Sequence, residues 1–296
     1  MKINLFIAFS FVIFQAMFAQ ERGLSSNDSL SIWSDILFTS SLVKTRTIAA
    51  EQVELQLKKL LLENKLDSNL LNSNLVRLKI PDKQVEIYSY QFEEEKNRFQ
   101  YAAYIKLENG KVIQLKRENR DYQRIRREEF DETNWYGAVY YHILPLVFGV
   151  DRYYILFGFS QNANGEKFKI IETLKIDNDK IKFGLPVFKI VDDANEEETI
   201  NRQIIRYSNN STCLLRYEEE DRQIVYDHII TYDDPNAPNM KFFLPDGSYE
   251  AFELNNNNWT YISKLKTESA ETAPREKPIL DNKSKDLFGK DKKRAK

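Results

Sequence analysis

Apolar residues recur at helical spacing in two stretches near the start of the chain, Asp28 to Leu42 and Ala49 to Asn64. In the second, Val53, Leu57, Leu60 and Leu61 share one face and charges occupy the other. Asp67 to Asn74 is a polar connector. From Leu75 to about Leu265 the period changes to two, with strands separated by turn residues. Asn109-Gly110, between Tyr101-Ala103-Ile105-Leu107 and Ile113-Leu115, predicts a tight hairpin with positive φ at both turn positions. Further turn signals stand at Asn162 to Gly165, Asp177 to Asp179, Asn209-Asn210, Glu218 to Asp221, Pro245-Asp246-Gly247 and Asn255 to Asn258. Asp121 to Glu129 reads as a short helix. No helical stretch recurs between strands, so crossover connections and a parallel sheet are not expected.

Two segments, Gly137 to Val150 and Tyr153 to Phe159, are almost continuously apolar. Strands of that kind are expected at the centre of the sheet system, covered on both faces. Lys167, Lys169, Thr173 and Lys175 alternate with Phe168, Ile170, Leu174 and Ile176, which predicts a strand with one wet face. Asn97-Arg98-Phe99 through Asn109-Gly110-Lys111 is echoed about 54 residues later by Asp151-Arg152-Tyr153 through Asn164-Gly165-Glu166-Lys167. That echo suits a repeated four-stranded unit, but two similar hairpins explain it better. The expected fold is mainly β, an antiparallel meander of a dozen or more strands behind two short helices. Sandwich, barrel and propeller-like closures all remain open.

The first nineteen residues stand apart. Met1-Lys2 is a short positive start, Ile3 to Phe14 is almost wholly apolar, and Ala19 is a small residue at the end of the run. This is the anatomy of a secretory leader cleaved after Ala19. The run is shorter than the roughly twenty residues of a membrane-spanning helix. The expected organisation is a leader over residues 1–19, a helical segment over 20–74, a β domain over 75–265 and a disordered, charged tail over 266–296. An exported, soluble chain with no membrane span after cleavage is the expectation.

Composition narrows the chemistry further. A formal net charge of -2 gives no general pull toward nucleic acid. A single cysteine, Cys213, cannot form an internal disulfide, and in Thr212-Cys213-Leu214-Leu215 it reads as a buried, inert thiol on a strand. With only His142 and His228 and no paired spacing, no metal site is expected. No Gly-x-Ser-x-Gly elbow and no glycine-rich phosphate loop occurs, so the sequence calls for no cofactor.

Two places break the apolar rows of strands. Glu172 interrupts Phe168, Ile170, Leu174 and Ile176. Asp227 and His228 lie within Ile224 to Ile230, where both faces are otherwise apolar. A buried carboxylate needs partners or takes up a proton, and Arg206 and Arg216 stand in strand patterns that could supply them. The functional reading is a cluster of Glu172, Asp227 and His228 acting as carboxylate pair and general base. The structural reading, an internal salt-bridge network, carries more weight. Adjacent Asp227 and His228 face opposite ways on a regular strand, so they act together only across a bulge. Trp135, Tyr140, Tyr141 and Trp259 are candidate stacking platforms for a ligand, with core packing as the commoner use of such residues.

Trp135-Tyr136-Gly137-Ala138 with Tyr140-Tyr141, Tyr154 and Gly158, Ile170-Ile171-Glu172, Phe183-Gly184 with Pro186 and Phe188, Asp227-His228 and Pro245-Asp246-Gly247-Ser248-Tyr249 together form a recognisable series. From about Val76 to Tyr261 the chain resembles a group of exported proteins of Bacteroidetes bacteria that has no assigned activity. The resemblance implies export and a long β domain, and it supplies no substrate or mechanism. Two functions follow as expectations. The first is a non-enzymatic envelope or surface module that binds another protein or a glycan. The alternative is a hydrolase of envelope glycans or peptides using Glu172 and Asp227, with His228 nearby.

Overall fold

The computed structural model describes residues 24–122, 124–148, 151–191, 196–233, 241–255 and 258–265. The leader, the charged tail and the middle of the Asn255–Asn258 turn lie outside the described residues. Among the described residues two α-helices come first, α1 (Ser26–Thr39) and α2 (Val43–Leu62). Ser25 starts α1 with a capping box: its hydroxyl accepts from the Asp28 amide, and Asp28 accepts from the Ser25 amide. Helix α2 starts six residues before the apolar periodicity does, because a polar side chain fills the inward position of its first turns. Arg46 is buried there and donates to the backbone carbonyls of Glu93 and Ser40.

Among the described residues fifteen strands follow, in three sheets. The first is a meander of β1 (Val76–Lys79), β2 (Glu86–Glu95), β3 (Arg98–Lys106) and β4 (Val112–Gln114). The second contains β5 (Val139–Phe148), β6 (Asp151–Gln161), β7 (Glu166–Asp177) and β11 (Arg202–Ser208) in the order β11-β7-β6-β5, with β8 (Lys180–Phe183) also paired to β7. The third contains β9 (Phe188–Val191), β10 (Glu197–Ile200), β12 (Leu215–Glu218), β13 (Gln223–Asp233), β14 (Lys241–Asn255) and β15 (Asn258–Ile262), in the order β10-β9-β15-β14-β13-β12. The pairing is antiparallel throughout except for the short parallel contact of β15 with β9.

Three apolar clusters set the layer order. Leu30, Leu37, Val53, Leu57 and Leu61 of the helices pack on Tyr88, Tyr90 and Tyr104 of the first sheet. The other face of that sheet, with Ile87, Ala103 and Ile105, meets Leu156, Phe168, Ile170 and Leu174 of the second. The far face of the second sheet, with Ile155, Phe157, Ile171 and Ile205, meets Phe188, Ile224, Tyr226, Phe252 and Trp259 of the third. The result is a layered stack of helices and three sheets, not a radial array of repeated units.

Several expectations are corrected by that stacking. The wet face of β7 is covered at its middle by the third sheet. Ile171 and Thr173 are fully buried, while Lys167, Lys169 and Lys175 are only half-buried. Strand β6 is central as expected, but β5 pairs only with β6, and its His142 and Pro145 are exposed. At the Asn109-Gly110 turn only Gly110 has positive φ, at +82°. Leu107 donates to the Lys111 carbonyl and Gly110 to the Leu107 carbonyl, a three-residue loop in place of the two-residue one. The Asp121–Glu129 helix is a single 3-10 turn, Ile125–Arg127. The strand expected over Thr212–Leu215 begins only at Leu215.

Candidate binding cleft

Glu172 projects from β7 into the core between the first two sheets and is fully buried. One carboxylate oxygen accepts from the hydroxyls of Tyr136 and Tyr140, each at 2.5 Å. The other accepts from Nε of Arg202 at 3.0 Å, its register partner on β11. Arg202 is equally buried. Its Nη1 donates to the carbonyls of Ile125 and Glu128, and its guanidinium lies 4.6 Å from the Phe130 ring centre and 5.2 Å from that of Tyr136. Burial first, and the Glu172 charge second, hold the Tyr136 hydroxyl well above the ordinary tyrosine range, so it stays a donor. Trp135 completes the network by donating from Nε1 to the Tyr140 hydroxyl at 3.0 Å. All these groups are sealed from solvent, so Glu172, Trp135 and Tyr140 form a structural network that no substrate reaches. Neither Arg206 nor Arg216 takes part, since they pair with Glu166 and Glu218.

Asp227 and His228 lie on β13 of the third sheet, and Glu172 does not meet them. Asp227 accepts from the backbone amide of Leu214 at 2.7 Å. The pairing of β13 with β14 slips between Asp227 and Ile229, an irregularity of the kind joint action would need. It unites His228 with a different acid: Nδ1 lies 2.9 Å from Asp246 and Nε2 lies 3.9 Å from Glu250. The hydroxyl and backbone amide of Ser248, and then His228, hold Asp246 down at about 2. Glu250 is pushed up by burial, although the Tyr261 hydroxyl donates to it at 2.5 Å. Asp246 had a signal in the Pro-Asp-Gly-Ser turn. Glu250 also had one, since it interrupts the inward row of Phe252 and Leu254.

A pH effect follows from Glu250. Its carboxyl binds a proton more tightly folded than unfolded. Its favourable contribution is therefore complete in acid and lost as pH rises from the ordinary 4.5 through the raised folded value. Glu250→Gln is expected to be more stable than the parent at pH 7, with the gap closing toward pH 4 in parallel urea titrations.

The remaining two candidates, Tyr141 and Trp259, do come together. They line a cleft of about 630 Å³ where β5 of the second sheet meets the third. A register shift between Tyr140 and His142 turns consecutive rings, Tyr141 and His142, toward Phe157, with ring centres 6.4 and 5.0 Å away. Leu144 and Leu146 continue this wall, and Leu215, Tyr217 and Leu254 form the opposite one. Tyr217 meets Trp259 edge-on at 6.4 Å. The Trp259 Nε1–H and the Tyr141 hydroxyl are buried, and neither has a hydrogen-bond partner among the described residues. Trp259 is only 2% exposed, so it serves the cleft as a wall and not as an open stacking platform.

Cys213 is buried nearby, and burial pushes its thiol up to about 12, outside the reactive range. Among the described residues no group of three or more His, Cys, Asp or Glu side chains is placed to hold a metal ion. No helix among them is long and apolar enough to cross a membrane. Comparison with known proteins finds no matching family model, no matching curated protein and no matching solved structure.

Proposed function

We propose that this chain is an exported, non-enzymatic binding module of the cell envelope, and that the cleft between β5 and the third sheet takes its ligand. One observation carries the reading: Tyr141, Leu144, Leu146, Leu215, Tyr217 and Leu254 line an open, mainly apolar cleft of about 630 Å³ between two sheets. The cleft also falls within the roughly 300–1,000 Å³ of typical ligand sites. Its leucine walls favour an apolar group on the envelope protein or glycan that it meets. The leader anatomy of Met1 to Ala19 and the resemblance to exported Bacteroidetes proteins support the location. The hydrolase alternative lacks a place where Glu172, Asp227 and His228 meet.

The test uses anilinonaphthalene sulfonate as a fluorescent probe, displaced by fractionated envelope extract. Leu146→Trp fills the cleft and is expected to abolish dye binding while far-UV dichroism stays unchanged. Trp259→Phe keeps a ring but draws back one wall of the cleft, with an expected loss in extract affinity of about 2–10-fold. Unchanged displacement in both variants sinks the assignment. Amino-terminal sequencing of the envelope fraction should begin at Gln20.

A further inference from the structure

A second cleft, of about 720 Å³, lies at the opposite end of β6 and β7, beside the Gln161–Glu166 turn. Four arginines line it: Arg98, Arg117, Arg120 and Arg206. Three of them are already neutralised. Arg98 pairs with Glu94 and Glu95, Arg120 with Glu118 and Glu128, and Arg206 with Glu166. Arg117 has no carboxylate partner among the described residues. Its guanidinium is nevertheless held in place: Nη1 donates to the Phe99 carbonyl at 2.8 Å and to Gln100 Oε1 at 3.0 Å, and the group lies 4.8 Å from the Tyr101 ring centre. Gly137 makes room for it, since a Cβ there would stand 3.0 Å from Arg117 Nε. Nη2 has no partner among the described residues. A half-buried, rigid cation with a spare donor is thus presented to a cleft that also carries the amides of Asn119, Gln161 and Asn164.

We propose that this cleft binds a saccharide bearing a carboxylate, with Arg117 holding the carboxylate and the amides meeting the hydroxyls. Arg117 Nη2 is the nitrogen left to donate to a carboxylate oxygen, and such charge-assisted bonds are the strong ones. Primary amides both donate and accept, as paired hydroxyls require. The cleft is far larger than a simple anion needs. Asp121 and Glu166 also line it and disfavour a multiply charged ligand.

Calorimetric titration of the full-length protein with an aldobiouronate (one uronate joined to one neutral sugar), its methyl ester and sodium sulfate tests the idea. The acid is expected to bind, and the neutral ester at least about tenfold more weakly. Arg117→Lys keeps the charge but loses the bonds that fix the donor in place, and should weaken the acid roughly tenfold. Asn164→Ala, on an exposed turn, should weaken it about 2–10-fold without touching the core. Equal binding of acid and ester, sulfate binding as tight as the acid, or acid affinity unmoved in both variants would overturn the proposal, as would no binding of the acid. None of these results bears on the aromatic cleft.

Discussion

Glu172→Gln should cost about 3–5 kcal/mol, read as a lower urea midpoint, because it leaves the buried Arg202 charge without its counter-charge. The amide oxygen can take the place of one carboxylate oxygen only: it either accepts from both tyrosine hydroxyls and turns its NH₂ against the guanidinium, or accepts from Arg202 and turns its NH₂ against both hydroxyls. The pair is expensive to break without being essential to the fold. The double variant Glu172→Leu with Arg202→Met should therefore recover much of the loss, since replacing both charges by apolar groups is often close to neutral. Recovery should remain incomplete, because the Tyr136 and Tyr140 hydroxyls then lose their acceptor. A single variant as stable as the parent would mean that water reaches the carboxylate.

Gly184→Ala is expected to destabilise by about 2–4 kcal/mol. Gly184 has φ of +79°, which costs an alanine roughly 1–2 kcal/mol by itself. The new Cβ would also run into Arg202 Nη2 and stand 2.9 Å from the Glu128 carbonyl oxygen. Gly247→Ala separates the two effects. Its φ is +85° but nothing lies within 4 Å of a Cβ, so only the backbone part should appear. Equal losses at Gly184 and Gly247 would show that Arg202 yields freely. Coupling between Gly184→Ala and Arg202→Met, measured by a double-mutant cycle, would locate the collision on the guanidinium.

Much of the local structure was legible in the sequence because helices and hairpins are decided by neighbours a few residues away. The face of Val53, Leu57, Leu60 and Leu61 is the face that α2 buries. The turns at Asn162–Gly165 and Asp177–Asp179 join β6 to β7 and β7 to β8. The start of α2 was not legible, because an arginine occupies an inward position there. Covering of β7 by a third sheet was equally hidden, since three lysines mark a wet face and only the distant strands show that its middle is dry.

Glu172 was visible as an anomaly, and so was the strain on the Asp227-His228 pattern. Their partners were not. Arg202 stands thirty residues from Glu172 and became its partner through the register of β11 on β7. Asp246 reached His228 through a slip in pairing eighteen residues away. The four aromatic candidates looked alike along the chain, yet Trp135 and Tyr140 sealed a polar core while Tyr141 and Trp259 reached a cleft.

The amino-acid sequence by itself determined most of the elements and the inward faces of those covered on one side, because side-chain period and turn chemistry are properties of short segments. The tertiary structure alone decided which charge neutralises which and where two sheets part to leave a cleft. Those outcomes depend on register and layer order between strands far apart in the chain, and no local pattern encodes them.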